Sequence, residues 1–293
     1  MPAKWFKCPD GEKQVIEECL ENNGCRINQR CATRPFLRLI SDVREWKGIT
    51  PSAAGNGPRY LWLKETTDYA IDPEQSVWAA MGTGTHYRLS IHRYTYNVLS
   101  EERLKDEQSK GIADVLEENE EKPGTFILTD YKTWGSFKVA KALGIITVDQ
   151  PIGVYKNGKP KTKKVKLMDP NAVDLRETAL QLNRYRIFFE SYGFPISKMQ
   201  VQAMPRDGGT YVATNRGIDK NLILIDVPWI SNEDVINYYE GLALEVGAAF
   251  RIGYARMCDA WEAWDGRRCQ GWCEVADACK KLAIENKERW PVK

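Results

Sequence analysis

Several things are scarce in this chain. No apolar run approaches the roughly 20 residues that a membrane-crossing helix needs, so the sequence offers no transmembrane segment. The opening Met1-Pro2-Ala3-Lys4 has no basic-then-apolar signal pattern, and a soluble, cytoplasmic protein with no membrane partner is expected. Net charge is only +2, so bulk charge gives no argument for nucleic acid; charge matters only where it clusters. No internal repeat or low-complexity stretch is visible, which argues against a solenoid or a disordered tract. No cysteine lies between Cys31 and Cys258.

What is present is a chain of 293 residues, 43% hydrophobic and 28% charged, enough for one large domain or two small ones. The eight cysteines fall in two groups, Cys8, Cys19, Cys25 and Cys31, then Cys258, Cys269, Cys273 and Cys279. A chain of this length without an export signal does not need disulfide staples, and metal ligation is the better reading. Ligands drawn from both groups would tie the two ends of the chain together.

Hydrophobic periodicity and turn signals give a mixed α/β pattern. Helices are expected at about 11–24, 32–46 and 73–98, with 50–58 as the clearest loop. Two strands follow at about 110–117 and 125–131, joined by the acidic turn 117–123, and then a helix over 135–144. Segment 145–168 alternates around Asn157-Gly158, which predicts a hairpin. A long helix is expected over 171–191, strands over 198–204, 210–215 and 221–227, and a helix from the cap at Ser231 to about Phe250. Helices therefore surround a small central mixed sheet.

Two short pieces carry the chemistry: Gly111-Ile112-Ala113-Asp114 and Thr129-Asp130-Tyr131-Lys132. An Asp at the turn of one strand and an Asp-x-Lys ending the next can converge on one point. Side chains on a strand repeat every two residues, so Asp130 and Lys132 share a face. Two carboxylates suit a hard divalent cation, and an ammonium beside them suits phosphodiester hydrolysis. Any one Asp is more often a solvated strand end. His86, upstream, is a candidate ligand, whereas His92 lies on another helical face. Gln181 and Tyr185 are four apart on the long helix and share a face, as ordinary amphipathic spacing also would give. Lys156, Lys161, Lys163 and Lys164 on the hairpin could grip a phosphate backbone, and Trp134 could stack a base or join the core.

In order, His86, Gly111-Ile112-Ala113-Asp114, Asp130-Tyr131-Lys132 and Gln181-x-x-x-Tyr185 reproduce the motif series of another group. The chain resembles the PD-(D/E)XK nucleases of the RecB type. Cys31 before this series and Cys269-x3-Cys273-x5-Cys279 after it resemble the iron–sulfur branch, which includes CRISPR-associated exonucleases and AddB-type helicase-nucleases. The resemblance spans about 31–279. It implies a restriction-endonuclease-like core over 61–250, with 145–168 as a basic insertion between cysteine-bearing helical segments, 1–60 and 251–293, that pack together.

It further implies a deoxyribonuclease, most simply an exonuclease acting on single strands or ends in recombination, repair or phage- or CRISPR-type DNA processing. Mg²⁺ or Mn²⁺ would sit on His86, Asp114, Asp130 and the Tyr131 carbonyl, with Lys132 catalytic and Gln181 and Tyr185 positioning DNA. Cys31, Cys269, Cys273 and Cys279 would hold a structural Fe–S cluster, of the 4Fe-4S type, with zinc as the alternative. The acid of the third motif is Asp where many members have Glu, and the first spacing of the cysteine triplet is three rather than two. Cys258 is then expected to be a buried thiol, and Cys8, Cys19 and Cys25 are left over. The rival reading is a non-catalytic DNA-binding module with a Zn or Fe–S structural site.

Overall fold

The computed structural model describes residues 3–42, 46, 48–92, 97–107, 109–155 and 157–291. The chain begins with strands β1 (Ala3–Lys7) and β2 (Lys13–Val15), then helices α1 (Ile16–Leu20), α2 (Arg34–Ser41) and α3 (Pro58–Thr66). Strand β3 (Tyr69–Ile71) and helix α4 (Pro73–Ser90) follow. Next come strands β4 (Val98–Lys105), β5 (Lys110–Glu118) and β6 (Phe126–Lys132), helix α5 (Ser136–Ala142), and the hairpin strands β7 (Ile145–Val154) and β8 (Pro160–Met168). Helix α6 (Arg176–Ser191), strand β9 (Ile196–Ala203), helix α7 (Tyr211–Asn215), strand β10 (Ile223–Asp226) and helices α8 (Asn232–Ile252) and α9 (Ala276–Glu285) complete it. No helix among the described residues is long and apolar enough to cross a membrane.

The chain forms two compact units. One holds residues 86–106 and 110–232 and is built on a five-stranded mixed sheet of order β10-β9-β6-β5-β4. Strands β4, β5 and β6 are antiparallel neighbours, β6 and β9 run parallel, and β10 returns antiparallel on β9. A parallel pair needs a crossover, and the chain between β6 and β9 supplies α5, the hairpin and α6. Leu116, Leu128, Met199 and Val201 of the sheet join Leu182, Phe188 and Phe189 of α6 in one apolar core. Side chains buried on both faces of a central strand read as near-continuous apolar runs, which is why Phe126-Ile127-Leu128 announces β6.

The other unit holds residues 1–85, 107–109 and 233–293, so both ends of the chain belong to it. A three-stranded sheet of order β2-β1-β3 packs Phe6 and Ile71 with Leu37 of α2, Trp62 and Leu63 of α3, Ala249 of α8 and Val275 and Cys279 near α9. Arg59 of α3 is fully buried there, donating to the Ala255 carbonyl at 2.6 and 2.8 Å and to Glu288 at 2.6 and 2.8 Å.

Several sequence expectations change. Residues 11–24 give a strand and one turn of helix, because β2 pairs with β1 through Trp5–Val15 and Phe6–Gln14. The helix expected to reach 98 ends at Ser90, residues 93–96 lie outside the described residues, and β4 follows. The 32–46 helix is shorter, Arg34–Ser41, and 43–45 are outside the described residues. The strand expected at 210–215 is helix α7, because the Thr210 side chain accepts from the Ala213 N–H and caps a turn.

Candidate active site

Asp114 lies inside β5, not at its turn, and the sheet register decides its neighbours. Between the ladder pairs Ser100–Val115 and Glu102–Ala113 stand Glu101 and Asp114. One step beyond the last β5–β6 pair, Val115–Thr129, stand Asp114 and Asp130. Glu101, Asp114 and Asp130 thus form one rung of three carboxylates across β4, β5 and β6. Like charges directly opposite on a sheet are destabilising, so such a rung calls for a cation. Glu101 also holds a left-handed backbone, φ 56°, in mid-strand. That conformation costs a non-glycine residue about 1–3 kcal/mol and clusters at functional sites.

His86, from the last turn of α4, reaches this rung. Its Nδ1 lies 3.2 Å from Asp114 Oδ1 and 3.8 Å from Glu101 Oε1, and its Nε2 lies 3.1 Å from the Tyr131 carbonyl oxygen. Among the described residues, His86, Glu101 and Asp114 form the one group of three whose ligand atoms all lie within 4.8 Å of one another. The hydrogen-bonded Asp114 carboxylate holds the imidazole above its ordinary pKa against the opposing effect of burial. The second Asp114 oxygen accepts from the Tyr131 N–H at 2.7 Å, fixing the carboxylate where the β5–β6 ladder opens.

Asp130 is 3% exposed. Lys132 Nζ lies 2.6 Å from Asp130 Oδ2, an ion pair at the buried carboxylate. Burial pushes the Asp130 carboxyl up to about 6; the Lys132 ammonium opposes this and the Asp114 charge adds to it. Burial works against the Lys132 ammonium, but Asp130 and then Asp114 keep it above its usual range.

Helix α6 completes the group. Gln181 donates to Asp130 Oδ1 at 3.3 Å and accepts from Lys132 at 3.3 Å, so its single amide bridges the acid and the ammonium. Tyr185, one turn on, is 4% exposed, and burial, then the charges of Asp130 and Asp114, keep its hydroxyl protonated. A buried carboxylate beside a His–Glu–Asp set is oxygen-rich donor chemistry that fits Mg²⁺ or Mn²⁺.

The structure thus brings together His86, Asp114, Asp130, Tyr131, Lys132, Gln181 and Tyr185, and adds Glu101, which sequence reasoning missed. The signal for Glu101 is a register relation visible only once β4 is placed against β5. Trp134 packs partly buried against the sheet core, with the Lys138 ammonium 5.8 Å from its ring centroid. The hairpin lysines do not all share a face. Lys161 and Lys163 alternate with Lys164 along β8, where Lys163 pairs with Gln150 and Lys164 with Asp149. Lys156 lies outside the described residues.

In the unit that holds the chain ends, the cysteines sort differently from the expected set. Cys258, Cys269, Cys273 and Cys279 line one cavity with Tyr60 and Arg268. Cys31 lines another, with Cys8, Cys19 and Cys25. The structure places Cys258, not Cys31, as the fourth cysteine at the cavity of the C-terminal triplet, and Cys31 at the cavity of the N-terminal three. Burial raises the thiols of Cys273 to about 12 and Cys279 to about 11. Cationic Arg268 beside Cys258 and Cys273, and Arg59 beside Cys279, oppose that rise and would balance a thiolate cluster. Gly57 backs the site: a β-carbon there would come within 2.6 Å of Cys258 Sγ and 2.5 Å of Glu262 Oε2. No protein-family model matches this chain, and no curated protein matches it.

Proposed function

We propose that this chain is a metal-dependent DNA nuclease of the PD-(D/E)XK, RecB-like kind, with a structural Fe–S cluster. The single observation that carries this reading is the carboxylate rung Glu101–Asp114–Asp130, with His86 on one side and Lys132, bridged by Gln181, on the other. The antiparallel run β4-β5-β6, with β9 then added parallel to β6, also supports a restriction-endonuclease-like core.

His86, Glu101, Asp114, Asp130 and the Tyr131 carbonyl would hold Mg²⁺ or Mn²⁺. Such a cation, when bound, lowers the pKa of a water and screens phosphate charge. The residues do the rest. Asp114 and Asp130 orient the reacting groups at the open end of β5 and β6. Lys132, protonated, donates to a non-bridging phosphate oxygen as charge builds there. Gln181, bonded to both groups, orients the Lys132–Asp130 pair toward the site. Tyr185 offers a neutral hydroxyl donor.

Cys258, Cys269, Cys273 and Cys279 are four soft ligands at one cavity with two arginines near, a donor set that fits a thiolate-held Fe–S cluster. The test is digestion of end-labelled linear and circular DNA with Mn²⁺. Asp130→Ala and Lys132→Ala should each lower cleavage by about 100-fold or more with an unchanged circular-dichroism spectrum. Cleavage that survives in either folded variant would sink the mechanism.

A further inference from the structure

The N-terminal cysteines remain outside that function. Cys8, Cys19, Cys25 and Cys31 line one cavity, together with the buried Phe6 and Leu37. Each sits where the backbone turns or ends. Cys8 opens the β1–β2 turn, with its N–H donating to the Glu12 carbonyl at 2.7 Å and its carbonyl accepting from Gly11 at 2.9 Å. Cys19 is in α1, and the Cys25 carbonyl accepts from the Asn28 N–H at 3.1 Å. Arg30 pins the loop by donating to the carbonyls of Cys19 and Glu21 at 3.0 and 2.8 Å.

The segment 21–33 between α1 and α2 has no regular secondary structure. A loop of this length inside a compact unit needs something to order it. Its own apolar contribution is small, since no residue of 21–33 is buried. Four thiols from β1–β2, α1 and this loop supply the missing tie. None of the eight cysteines is paired in a disulfide.

We propose that Cys8, Cys19, Cys25 and Cys31 form a second, separate metal centre that holds a single Zn²⁺ and orders the N-terminal lobe. Four thiolates without an open position are the ligand set of a structural zinc site. Cys31 is exposed to solvent, which a redox-inert ion tolerates better than a cluster whose properties depend on exposure. No three of the described cysteine sulfurs lie within 4.8 Å of one another. Zinc–sulfur bonds of 2.3 Å impose a tetrahedral edge of roughly 3.8 Å, so binding draws the hairpin and the loop together and releases thiol protons.

The test is metal analysis of the full chain, purified under reducing conditions. The unsubstituted protein should carry one zinc per chain; Cys25→Ser should lower zinc about tenfold or more and leave iron unchanged, and Cys273→Ser should leave zinc unchanged. Should Cys25→Ser not fold, alkylation of the unsubstituted protein decides. Zinc should protect Cys8, Cys19, Cys25 and Cys31 from iodoacetamide, as mapped by mass spectrometry, and a chelator should expose all four together. Absence of zinc, zinc retained in folded Cys25→Ser, loss of iron instead of zinc, or these cysteines recovered as disulfides would overturn the proposal.

Discussion

Glu101 and Asp114 stand opposite each other on neighbouring strands, and one nitrogen of the His86 ring lies 3.8 and 3.2 Å from their carboxylates. Three consequences follow from that crowding. On the proposed reading, the metal-free protein carries net repulsion along the rung, a bound divalent cation would relieve it, and Glu101 would contribute to both effects. Glu101→Gln should therefore raise the melting temperature without metal, by about 1–3 °C for a cross-strand repulsion of up to ~1 kcal/mol. The same variant should show a smaller Mn²⁺-induced rise in melting temperature and need roughly 10-fold more Mn²⁺ for half-maximal cleavage. Thermal melts and metal titrations at fixed ionic strength check both. An unchanged metal titration would remove Glu101 from the site.

Asp130 gives a pH dependence whose sign can be worked out. Its folded pKa, about 6, lies above the ordinary carboxylate value of 3.8 because burial disfavours the anion. The metal-free fold is then stabilised by this group fully below pH 3.8, and loses that contribution as pH rises through about 6. Metal binding runs the other way, since it needs the carboxylate ionised and His86 neutral. Cleavage at limiting Mn²⁺ should fall as pH drops through about 6, while the metal-free melting temperature moves oppositely. Asp130→Asn should flatten the metal-free stability profile between pH 4 and 7 if Asp130 is its source.

Gln181 hydrogen-bonds Asp130 and Lys132, and in the proposed mechanism it is a positioning residue that would act through them. Replacing it by Ala removes the amide that orients the Lys132–Asp130 ion pair. The expected result is a fall in kcat of about 10- to 100-fold with KM for DNA changed little, because the lost interaction orients a donor rather than binding substrate. Gln181→Asn, too short to bridge both groups, should not rescue. A variant that raised KM alone would place Gln181 on the DNA instead.

Much of this was legible in the sequence, and what was not has physical causes. Strand β6, α5, the β7–β8 hairpin, α6 and β9 follow from apolar period and turn residues such as Asn157-Gly158. Strand β4 was missed because Ser100-Glu101-Glu102-Arg103 is polar; its pairing with β5, not its own composition, makes it a strand. Residues 210–215 mislead because Tyr211 and Val212 favour strands, while the Thr210 cap selects a helical turn. Order along the chain brought out Asp114, Asp130, Lys132, Gln181 and Tyr185, since each sits at a spacing its own element explains. The partner of the C-terminal cysteine triplet is a different kind of fact. It depends on where distant loops meet, and spacing along the chain carries no information about that.

The cysteine partition has a direct test. If the cluster uses Cys258, Cys269, Cys273 and Cys279, then Cys258→Ser should lose the roughly 400 nm charge-transfer absorbance expected of thiolate-bound iron, along with iron itself. Cys31→Ser should keep both, because Cys31 belongs to the other cavity. The reverse outcome would restore the grouping suggested by resemblance.

The buried Arg59 supplies the last prediction. Its guanidinium is 0% exposed and spans the Ala255 carbonyl and the Glu288 carboxylate. Glu288 is held below the usual glutamate range first by its hydrogen bond to Arg59. A carboxylate with a depressed folded pKa stabilises the fold above its unfolded value, here 4.5, and that contribution is lost as pH falls toward the folded value. Breaking the pair leaves a buried charge without its counter-charge, which is far costlier than losing a surface ion pair. Glu288→Gln should destabilise by about 2–3 kcal/mol at neutral pH, a loss of roughly 5 °C in melting temperature. Its stability should then depend less on pH below 4.5 than that of the unsubstituted chain. Because Arg59 also lies beside Cys279, the variant should take up iron less completely, whereas Mn²⁺ binding at the carboxylate rung should keep its affinity. Calorimetry from pH 3 to 7 with parallel iron analysis separates these effects; an unchanged melting temperature at pH 7 would show that Glu288 does not hold Arg59 in place.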